Sequence, residues 1–312
     1  MGAPLALALA VCLGTAACAQ DTPGTPTRTV ALTVDDLPVG RGHRLPWMQR
    51  VTRDLLAQID TAGVPAIGFV NEGKLAVDGE VEARTALLQA WVDAGHDLGN
   101  HTYSHRSLFD TPLDTVQADV LRGQRVTDRL LAARGDAVRY FRHPYLNTGP
   151  DGATRDAFAA WLGTQGLIVA PVTHDNAEYV YALAYDRALE AGDAALQGRI
   201  ADAYVAYMDT TAAYFEALSR DLFGREPAQV LLVHANALNA DHLTDLVAMY
   251  RRRGYRFVTL GEALADPAYA SEDGYAGRAG VSWLQRWALT RGMRLTPEPV
   301  VDAWVEDAAY PD

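Results

Sequence analysis

The chain has 312 residues, of which 49% are hydrophobic and 21% are charged, and its formal net charge at pH 7 is −12. This composition is ordinary for a globular protein, and the length suits one large domain or two small ones. An acidic surface would repel the phosphates of nucleic acids and the headgroups of anionic lipids. We therefore predict neither nucleic-acid nor membrane-surface binding, and the sequence implies no protein partner.

An apolar run of small residues begins the chain, from Ala3 to Ala17. It is too short for a permanent membrane anchor, and Ala17-Cys18-Ala19 fits the small-x-small pattern of a signal-peptidase site. We predict a signal peptide over residues 1–19 and export to the periplasm or the cell exterior. A lipoprotein signal ending at residue 17, with a lipid on Cys18, is an alternative, and a buried N-terminal helix is another.

Cysteine is confined to this first segment, where Cys12 and Cys18 lie. A mature domain without cysteine has neither disulfides nor a thiolate metal site. Any metal must therefore be held by histidine and carboxylate groups. Residues 20–28 are rich in Thr, Pro and Gly and are predicted to be a linker.

Apolar strands and periodic helical segments are predicted to alternate along the rest of the chain. In order, the predicted elements are a strand at 29–34, a helix at 47–61, a strand at 66–70, helices at 80–94 and 113–133, and strands at 140–141, 167–170, 230–233 and 257–260. Such alternation predicts parallel βα units, and on a chain of this length it favours a barrel-like arrangement over an open sheet.

Two segments depart from this alternation. Residues 178–223 are predicted to be a helical insert, with a break near Gly192, and residues 266–312 a partly helical extension that packs back on the domain. The helical spacing of the tyrosines in the insert favours core packing over stacking on sugar rings. These tyrosines are Tyr179, Tyr181, Tyr185, Tyr204, Tyr207 and Tyr214.

Polar residues follow the predicted strand ends, where the loops of parallel α/β folds converge. Asp35 and Asp36 are adjacent carboxylates that repel each other unless a cation compensates, although Asp36 would also suit a turn cap. His101 and His105 are four residues apart, a spacing that puts both imidazoles on one face of a helical turn. With an Asp they would form a metal site that leaves coordination positions open for water and substrate.

Three further polar residues follow predicted strands. Arg142 could hold a carboxylate ionised or form a surface ion pair, and His234 could protonate a leaving group or be purely structural. Asp175 either hydrogen-bonds His234 and raises its pKa or caps the helix that follows. None of these residues is decisive by itself.

The order and placement of these residues resemble the polysaccharide deacetylases of carbohydrate esterase family 4, the NodB homology domain. The matching motifs are Thr33-Val34-Asp35-Asp36, His101-Thr102-Tyr103-Ser104-His105, Arg142-His143-Pro144-Tyr145 and Leu232-Val233-His234. The resemblance implies a distorted (β/α) barrel, with a catalytic domain at 29–265. The family's fourth motif normally has Asp and a groove tryptophan, where this chain has Asp175-Asn176-Ala177-Glu178-Tyr179.

By this resemblance the protein is a metal-dependent hydrolase that removes N- or O-linked acetyl groups from a carbohydrate. The resemblance implies that Asp35 is the general base and that Asp36, His101 and His105 bind the metal. Zinc suits two imidazoles and a carboxylate, and cobalt or nickel would bind the same set.

The resemblance also implies roles for the remaining candidates. Arg142 would position Asp35, the backbone N–H of Tyr145 would help to stabilise the oxyanion, and His234 would be the general acid. We predict that Asp175 tunes His234, with Glu178 as the alternative.

Two other functions stay open. A metal-dependent amidohydrolase acting on a small non-carbohydrate amide would use the same fold and the same residues. A non-catalytic glycan-binding protein of the cell envelope would share the fold but has no need of an intact base, metal ligands and acid.

Overall fold

The computed structural model describes residues 2, 28–42 and 44–311. The predicted signal peptide apart from Gly2, the predicted linker up to residue 27, and both cysteines lie outside the described residues. Export, lipidation at Cys18 and the linker therefore stay predictions.

A curved parallel sheet forms the centre of the described part of the chain. Its strands are β1 (Arg28–Leu37), β2 (Ala66–Val70), β3 (Asp97–Asn100), β4 (Tyr140–Phe141), β5 (Ile168–Val169), β6 (Gln229–His234) and β7 (Tyr255–Val258). The strand order is β5-β4-β3-β2-β1-β6, and β7 pairs with the first residues of β1. The central strand β1 is buried without interruption from Val30 to Asp35, as expected when both faces of a parallel sheet are covered.

The sheet closes on itself beyond β5. The backbone N–H groups of Thr173 and His174 both donate to the carbonyl of Val230 in β6, at 3.0 Å, and Leu232 N–H donates back to the carbonyl of His174 at 3.3 Å. The strands of this ring range from ten residues in β1 to two in β4 and β5. The distorted (β/α) barrel implied by the sequence is confirmed.

Helices cover the outside of the barrel. They are α1 (Leu45–Ala62), α2 (Val81–Asp93), α3 (Leu113–Arg122), α4 (Arg125–Ala132), α5 (Gly152–Thr164), α6 (Glu178–Glu190), α7 (Ala194–Phe223), α8 (Ala237–Arg252), α9 (Leu260–Leu264), α10 (Trp283–Thr290) and α11 (Ala303–Ala309), with 3₁₀ turns at Glu72–Leu75, Pro144–Leu146 and Pro267–Ala270. Helix α1 buries Val51, Leu55 and Ile59 at helical spacing and packs on α8. No helix among the described residues is both long enough and apolar enough to span a bilayer.

The predicted single helix at 113–133 is wrong, because α3 and α4 are separate helices that meet around Gly123. A Cβ on Gly123 would lie 2.5 Å from the backbone nitrogen of Tyr103. The loop that carries the two histidines therefore passes directly against the junction of α3 and α4, and a side chain at residue 123 would displace it.

The helical insert consists of α6 and α7, which separate at Gly192, a residue in the left-handed region with φ 71°. Tyr181 and Tyr204 are fully buried and Tyr185 is nearly so, which confirms core packing for these rings. Tyr179 differs, because its side chain is 54% exposed. The insert is thus a packed helical layer with one exposed tyrosine at its beginning.

The C-terminal extension packs on the barrel through α10. Ser282 Oγ donates to the carbonyl of Thr173 at 2.7 Å, and the backbone N–H of Trp283 donates to the carbonyl of Val172 at 2.7 Å. Trp283 and Trp287 are buried in a hydrophobic cluster that includes Phe215 of α7. The last helix, α11, packs against α6, so the extension and the insert form one continuous layer.

Candidate active site

Two neighbouring carboxylates, those of Asp35 and Asp36, lie at the carboxyl end of β1 and line the same cavity. In a regular strand adjacent side chains point to opposite faces. Here the pairing of β1 with β2 shifts register between Val34 and Leu37, and Asp36 has a left-handed φ of 72°. This irregularity lets both carboxylates face one site.

The side chains of Asp36, His101 and His105 form a group that could hold a metal ion. One ligand atom from each residue lies within 4.8 Å of the other two. Asp36 Oδ1 is 3.6 Å from His105 Nε2 and 3.9 Å from His101 Nε2. Two imidazoles and one carboxylate at this separation fit a divalent cation such as zinc.

The two histidines converge without a helix, so the predicted helical turn at 101–105 is wrong. Thr102 and His105 have left-handed φ values of 63° and 56°. Side chains hold this loop, since Asn100 Oδ1 accepts from Thr102 N–H at 2.7 Å and Thr102 Oγ1 accepts from His105 N–H at 2.9 Å. The two imidazoles therefore come together across a non-helical turn that these side-chain hydrogen bonds hold in place.

The protonation states of these three side chains favour metal binding, because both imidazoles are neutral and the carboxylate is ionised. His101 Nδ1 lies 2.8 Å from the carbonyl of Arg142, which can only accept, so Nδ1 carries the proton and Nε2 keeps its lone pair toward Asp36. Burial lowers the pKa of both His101 and His105, which keeps the imidazoles neutral. Burial raises the pKa of Asp36, but Lys74 and the two histidines outweigh it and hold that pKa below the usual range.

Lys74, the only lysine of the chain, lies beside this group although no motif assigns it a role. Its Nζ donates to the backbone carbonyl of Asp36 at 2.8 Å and lies 3.3 Å from Asp36 Oδ1. The ammonium group therefore fixes the irregular end of β1 and compensates the two carboxylates. Nothing in the spacing of Lys74 along the chain indicated this contact.

Asp35 is supported from behind by Arg142, which is fully buried. Arg142 Nη2 donates to Thr33 Oγ1 at 2.9 Å, and Nη1 lies 3.8 Å from Asp35 Oδ2, too far for a hydrogen bond. Asp35 Oδ1 has no hydrogen-bond partner among the described residues. Burial raises the pKa of Asp35 to about 6, and the charge of Arg142 opposes that rise.

His234 ends β6 directly opposite Asp35 in the β1–β6 register. Its Nδ1 lies 2.9 Å from Glu178 Oε2, and the amides of Asn236 and Asn239 donate very short hydrogen bonds to Glu178 Oε1. Burial lowers the pKa of His234, but the hydrogen bond and charge of Glu178 outweigh it and raise that pKa to about 9. His234 is therefore protonated at neutral pH.

The prediction that Asp175 hydrogen-bonds His234 is wrong, and Glu178 occupies that position. Asp175 Oδ1 accepts from the N–H of Asn176 at 2.8 Å, and His234 Nδ1 is bonded to Glu178. The alternative role of Asp175 as a helix cap is also wrong, because the residue before α6 is Ala177, which has no side-chain cap. Glu178 reaches His234 because it begins α6, and Asp175 instead lines the cavity.

Tyr145 has a left-handed φ of 57° in the 3₁₀ turn after β4, and its ring lies 4.5 Å from that of His105. The turn is closely covered by the extension, since a Cβ on Gly280 would lie 1.7 Å from the carbonyl oxygen of Tyr145. The contribution of the Tyr145 N–H to an oxyanion site stays a prediction.

A cavity of about 640 Å³ brings the predicted site residues together. The predicted residues that line it are Asp35, Asp36, His101, His105, Tyr145, Asp175 and His234, and Arg142 lies behind Asp35. A carboxylate with a free oxygen, a protonated imidazole and a metal-binding group in one cavity are suited to hydrolysis by an activated water.

The sequence matches the family model described as polysaccharide deacetylase over residues 22–159. This range contains the first three motifs and ends before the strand that carries His234.

Solved structures of family 4 carbohydrate esterases (CE4) share the fold. A CE4 esterase from Streptococcus mutans matches with a TM-score of 0.50 and 19% identity over 75% of this chain and 86% of that one. A family 4 carbohydrate esterase from Streptomyces lividans in complex with acetate matches at 22% identity and TM-score 0.47, covering 76% and 95% of the two chains. A CE4 family pseudoenzyme from Bacillus anthracis matches with 16% identity and a TM-score of 0.46, and the match covers 77% of this chain and 66% of that one.

At these identities the likeness to the S. mutans esterase establishes the fold and leaves the activity to the site itself. The family model and the first three motifs agree over the first half of the domain. Residues 22–159 of the chain thus match the polysaccharide deacetylase family, and the described part of the chain has the barrel fold of the family 4 carbohydrate esterases.

Proposed function

We propose that the protein is a metal-dependent hydrolase that removes acetyl groups from a carbohydrate. The observation that carries this proposal is the pairing of Asp35 with His234 across β1 and β6, beside the metal-binding group, in one cavity. Deacetylation needs a group that takes a proton from water, a group that gives a proton to the departing oxygen or nitrogen, and stabilisation of the oxyanion between them.

Asp36, His101 and His105 would hold the cation, and we propose zinc, with cobalt or nickel as substitutes. Bound there, the cation would supply Lewis-acid activation of the acetyl carbonyl and of the attacking water. The carbonyl of Arg142 fixes the His101 ring so that Nε2 faces the site.

Asp35 is the proposed general base. Its Oδ1 is buried without a hydrogen-bond partner among the described residues, so it can accept a proton from water. Arg142, locked to Thr33 and fully buried, would position the carboxylate through its charge. The base is therefore pre-placed at the strand end and needs no rearrangement to act.

His234 is the proposed general acid. His234 Nδ1 donates a hydrogen bond to Glu178 Oε2 at 2.9 Å, which leaves Nε2 to give its proton to the leaving alcohol or amine. The carboxylate of Glu178 then stabilises the imidazolium before transfer and sets the ring orientation. The tetrahedral oxyanion would be stabilised by the backbone N–H of Tyr145 together with the cation.

The products would be acetate and a free hydroxyl or amino group on the sugar. The test is acetate release by zinc-loaded protein from chito-oligosaccharides, peptidoglycan fragments and acetylated xylan, with small cyclic amides as the competing substrates. Acetate from a saccharide supports the proposal. Hydrolysis of cyclic amides alone would favour the amidohydrolase, and saccharide binding without any acetate would favour a non-catalytic protein.

We also propose that the protein acts outside the cytoplasm, freely secreted or lipid-anchored through Cys18. The support is the apolar run and the Ala17-Cys18-Ala19 site in the sequence. Intact mass of the protein from cell fractions would show either cleavage after residue 19, or cleavage after residue 17 with added lipid mass. An uncleaved chain in the cytoplasm would contradict export.

A further inference from the structure

The cavity is walled by segments that do not belong to the barrel. Tyr179 comes from α6, Glu298 and Pro299 from the extension, and Tyr310 from the residue after α11. Because α11 packs on α6, these segments form one wall over the site. A volume of about 640 Å³ is within the roughly 300–1,000 Å³ of small-molecule pockets.

Exposed aromatic rings are concentrated at this cavity. Among the described residues, the large hydrophobic side chains with high exposure include three aromatic ones, Tyr145 at 62%, Tyr179 at 54% and Tyr310 at 57%. All three line the cavity. Rings exposed at a polar pocket, with a hydroxyl on each, suit the apolar faces and hydroxyl rims of a sugar.

The positions of these rings are fixed relative to the proposed acid. Tyr179 directly follows Glu178, whose carboxylate bonds His234 Nδ1 at 2.9 Å. Burial raises the pKa of Tyr179, and Tyr310 and Asp175 lie close enough to raise it further. The ring of Tyr145 lies 4.5 Å from that of His105, a member of the metal-binding group.

Two carboxylates complete the wall. Asp175 and Glu298 both line the cavity, and the amide of Gln285 donates a very short hydrogen bond to Glu298 Oε1. Asp175 Oδ1 is used by Asn176 N–H, which leaves Oδ2 for a ligand. Carboxylate oxygens accept hydrogen bonds from sugar hydroxyls.

We propose that Tyr145, Tyr179 and Tyr310, with Asp175 and Glu298, form a pocket for one terminal sugar unit. The enzyme would then deacetylate chain ends or short saccharides and leave internal units of a polymer untouched. An internal unit needs a groove from which the chain leaves on both sides, whereas residues of α6, of the extension and of the segment after α11 line one side of this cavity. This inference rests on the proposed deacetylase activity and specifies its substrate class.

The test uses the zinc-loaded protein with N-acetylated chito-oligosaccharides and acetylated xylo-oligosaccharides of increasing length, and with the corresponding polymers. Mass spectrometry of the products locates each lost acetyl group. We expect loss from a terminal unit only, and a polymer rate that scales with the number of chain ends at constant acetyl content. Comparable loss from internal units would overturn the inference.

Variants of the rim supply a second measurement. Tyr179→Ala and Tyr310→Ala should each raise KM about 3- to 10-fold with little change in kcat, because each removes a stacking surface and leaves the proposed acid and base unchanged. Tyr179→Phe and Tyr310→Phe keep the ring and should recover most of that loss. Alanine variants with wild-type KM would contradict the role of the rim.

The outcomes separate the two proposals. Acetate release without a preference for chain ends, or without a KM effect of the tyrosines, would overturn the pocket inference and leave the deacetylase proposal standing. No acetate from any saccharide would overturn the deacetylase proposal itself, and with it the sugar pocket.

Discussion

Asp35 and His234 face each other across two strand ends, but their surroundings prepare them for opposite tasks. Burial beside Arg142 leaves Asp35 with a free oxygen, whereas Glu178 holds His234 protonated. The proposed acid His234 must carry its proton and the proposed base Asp35 must be ionised, so activity should be highest between about pH 6 and about pH 9. It should fall as the pH drops through the pKa of Asp35 and as it rises through the pKa of His234.

Glu178→Gln should move the alkaline limb of the pH profile, the fall in activity at high pH, to lower pH. The amide removes the largest influence that raises the pKa of His234, and burial, which lowers that pKa, is then opposed only by the charges of Asp36 and Asp35. We expect kcat near neutral pH to fall about 10- to 100-fold. Asp175→Asn is the matched control, because Asp175 has no hydrogen bond to His234 and should move the limb much less. An unchanged pH profile in Glu178→Gln would contradict the assignment of Glu178.

The sequence indicated which residues line the cavity as the proposed metal ligands, base and acid, because these residues lie in short motifs at strand ends. It placed Glu178 only second to Asp175 as the partner of His234, since that choice depends on where α6 begins relative to β6. Lys74 was missed for the same reason. Its contact with Asp36 joins residues 38 positions apart and leaves no local pattern.

At the scale of elements, the turn after β4 depends on a glycine in the extension. A Cβ on Gly280 would lie 1.7 Å from the carbonyl oxygen of Tyr145, so Gly280→Ala must displace one backbone or the other. The displaced turn carries Tyr145, and a shift of about 1 Å near the chemistry can cost up to about 100-fold in rate. We expect kcat/KM for acetate release to fall about 10- to 100-fold.

Gly163→Ala is the matched control for this substitution. Gly163 lies in α5, and a Cβ there would meet nothing within 4 Å. Its methyl group should leave the rate unchanged and stabilise the fold slightly, by about 0.4–1 kcal/mol in urea unfolding. If Gly280→Ala were as active as Gly163→Ala, the extension would have no part in shaping the site.

Element prediction succeeded where the sequence pattern was strong and failed where tertiary contacts decided. The apolar run of β1 and the periodic face of α1 were recognisable. Helix α8 was missed although Leu243, Leu246, Val247 and Tyr250 are buried at helical spacing, whereas α5 buries only Phe158 and Leu162 and has a weaker pattern. The turn at 101–105 depends on Asn100 and Thr102 side chains that cap left-handed residues. Periodicity does not reveal such caps.

At the scale of the molecule, the metal-binding group joins two separate chain segments at one barrel end, and a third segment supports it. Asp36 lies near the end of β1, and His101 and His105 follow β3, while the carbonyl of Arg142 after β4 fixes His101. An ion bound to this group would connect strands that are otherwise joined only through the sheet. Metal should therefore stabilise the native state and not the unfolded chain.

Zinc at about 100-fold its Kd should add about 2.7 kcal/mol to the free energy of unfolding. This corresponds to a rise of several degrees in Tm, measured by calorimetry of the metal-free protein with and without zinc. His101→Ala should show no such rise, since it removes one of three ligands. A similar rise in His101→Ala would place the ion elsewhere on the protein.

The alternation of strands and helices in the sequence predicted a barrel, but it did not predict which segment closes the ring of strands. The ring is completed by Thr173 and His174 bonding Val230, in a segment too short and irregular to be predicted as a strand. The wall that α6, α11 and the extension build over the site was also not predictable. It depends on how α11 packs against α6, and that contact joins distant parts of the chain.

The most direct test of the account is acetate release measured together with bound zinc, in wild type and in Asp35→Asn. The amide keeps the shape of the side chain and leaves Asp36, His101 and His105 intact. We expect equal zinc content in both proteins and a rate in Asp35→Asn lower by about 10²- to 10⁴-fold. Acetate release at the wild-type rate by Asp35→Asn, or by wild type stripped of metal, would contradict it.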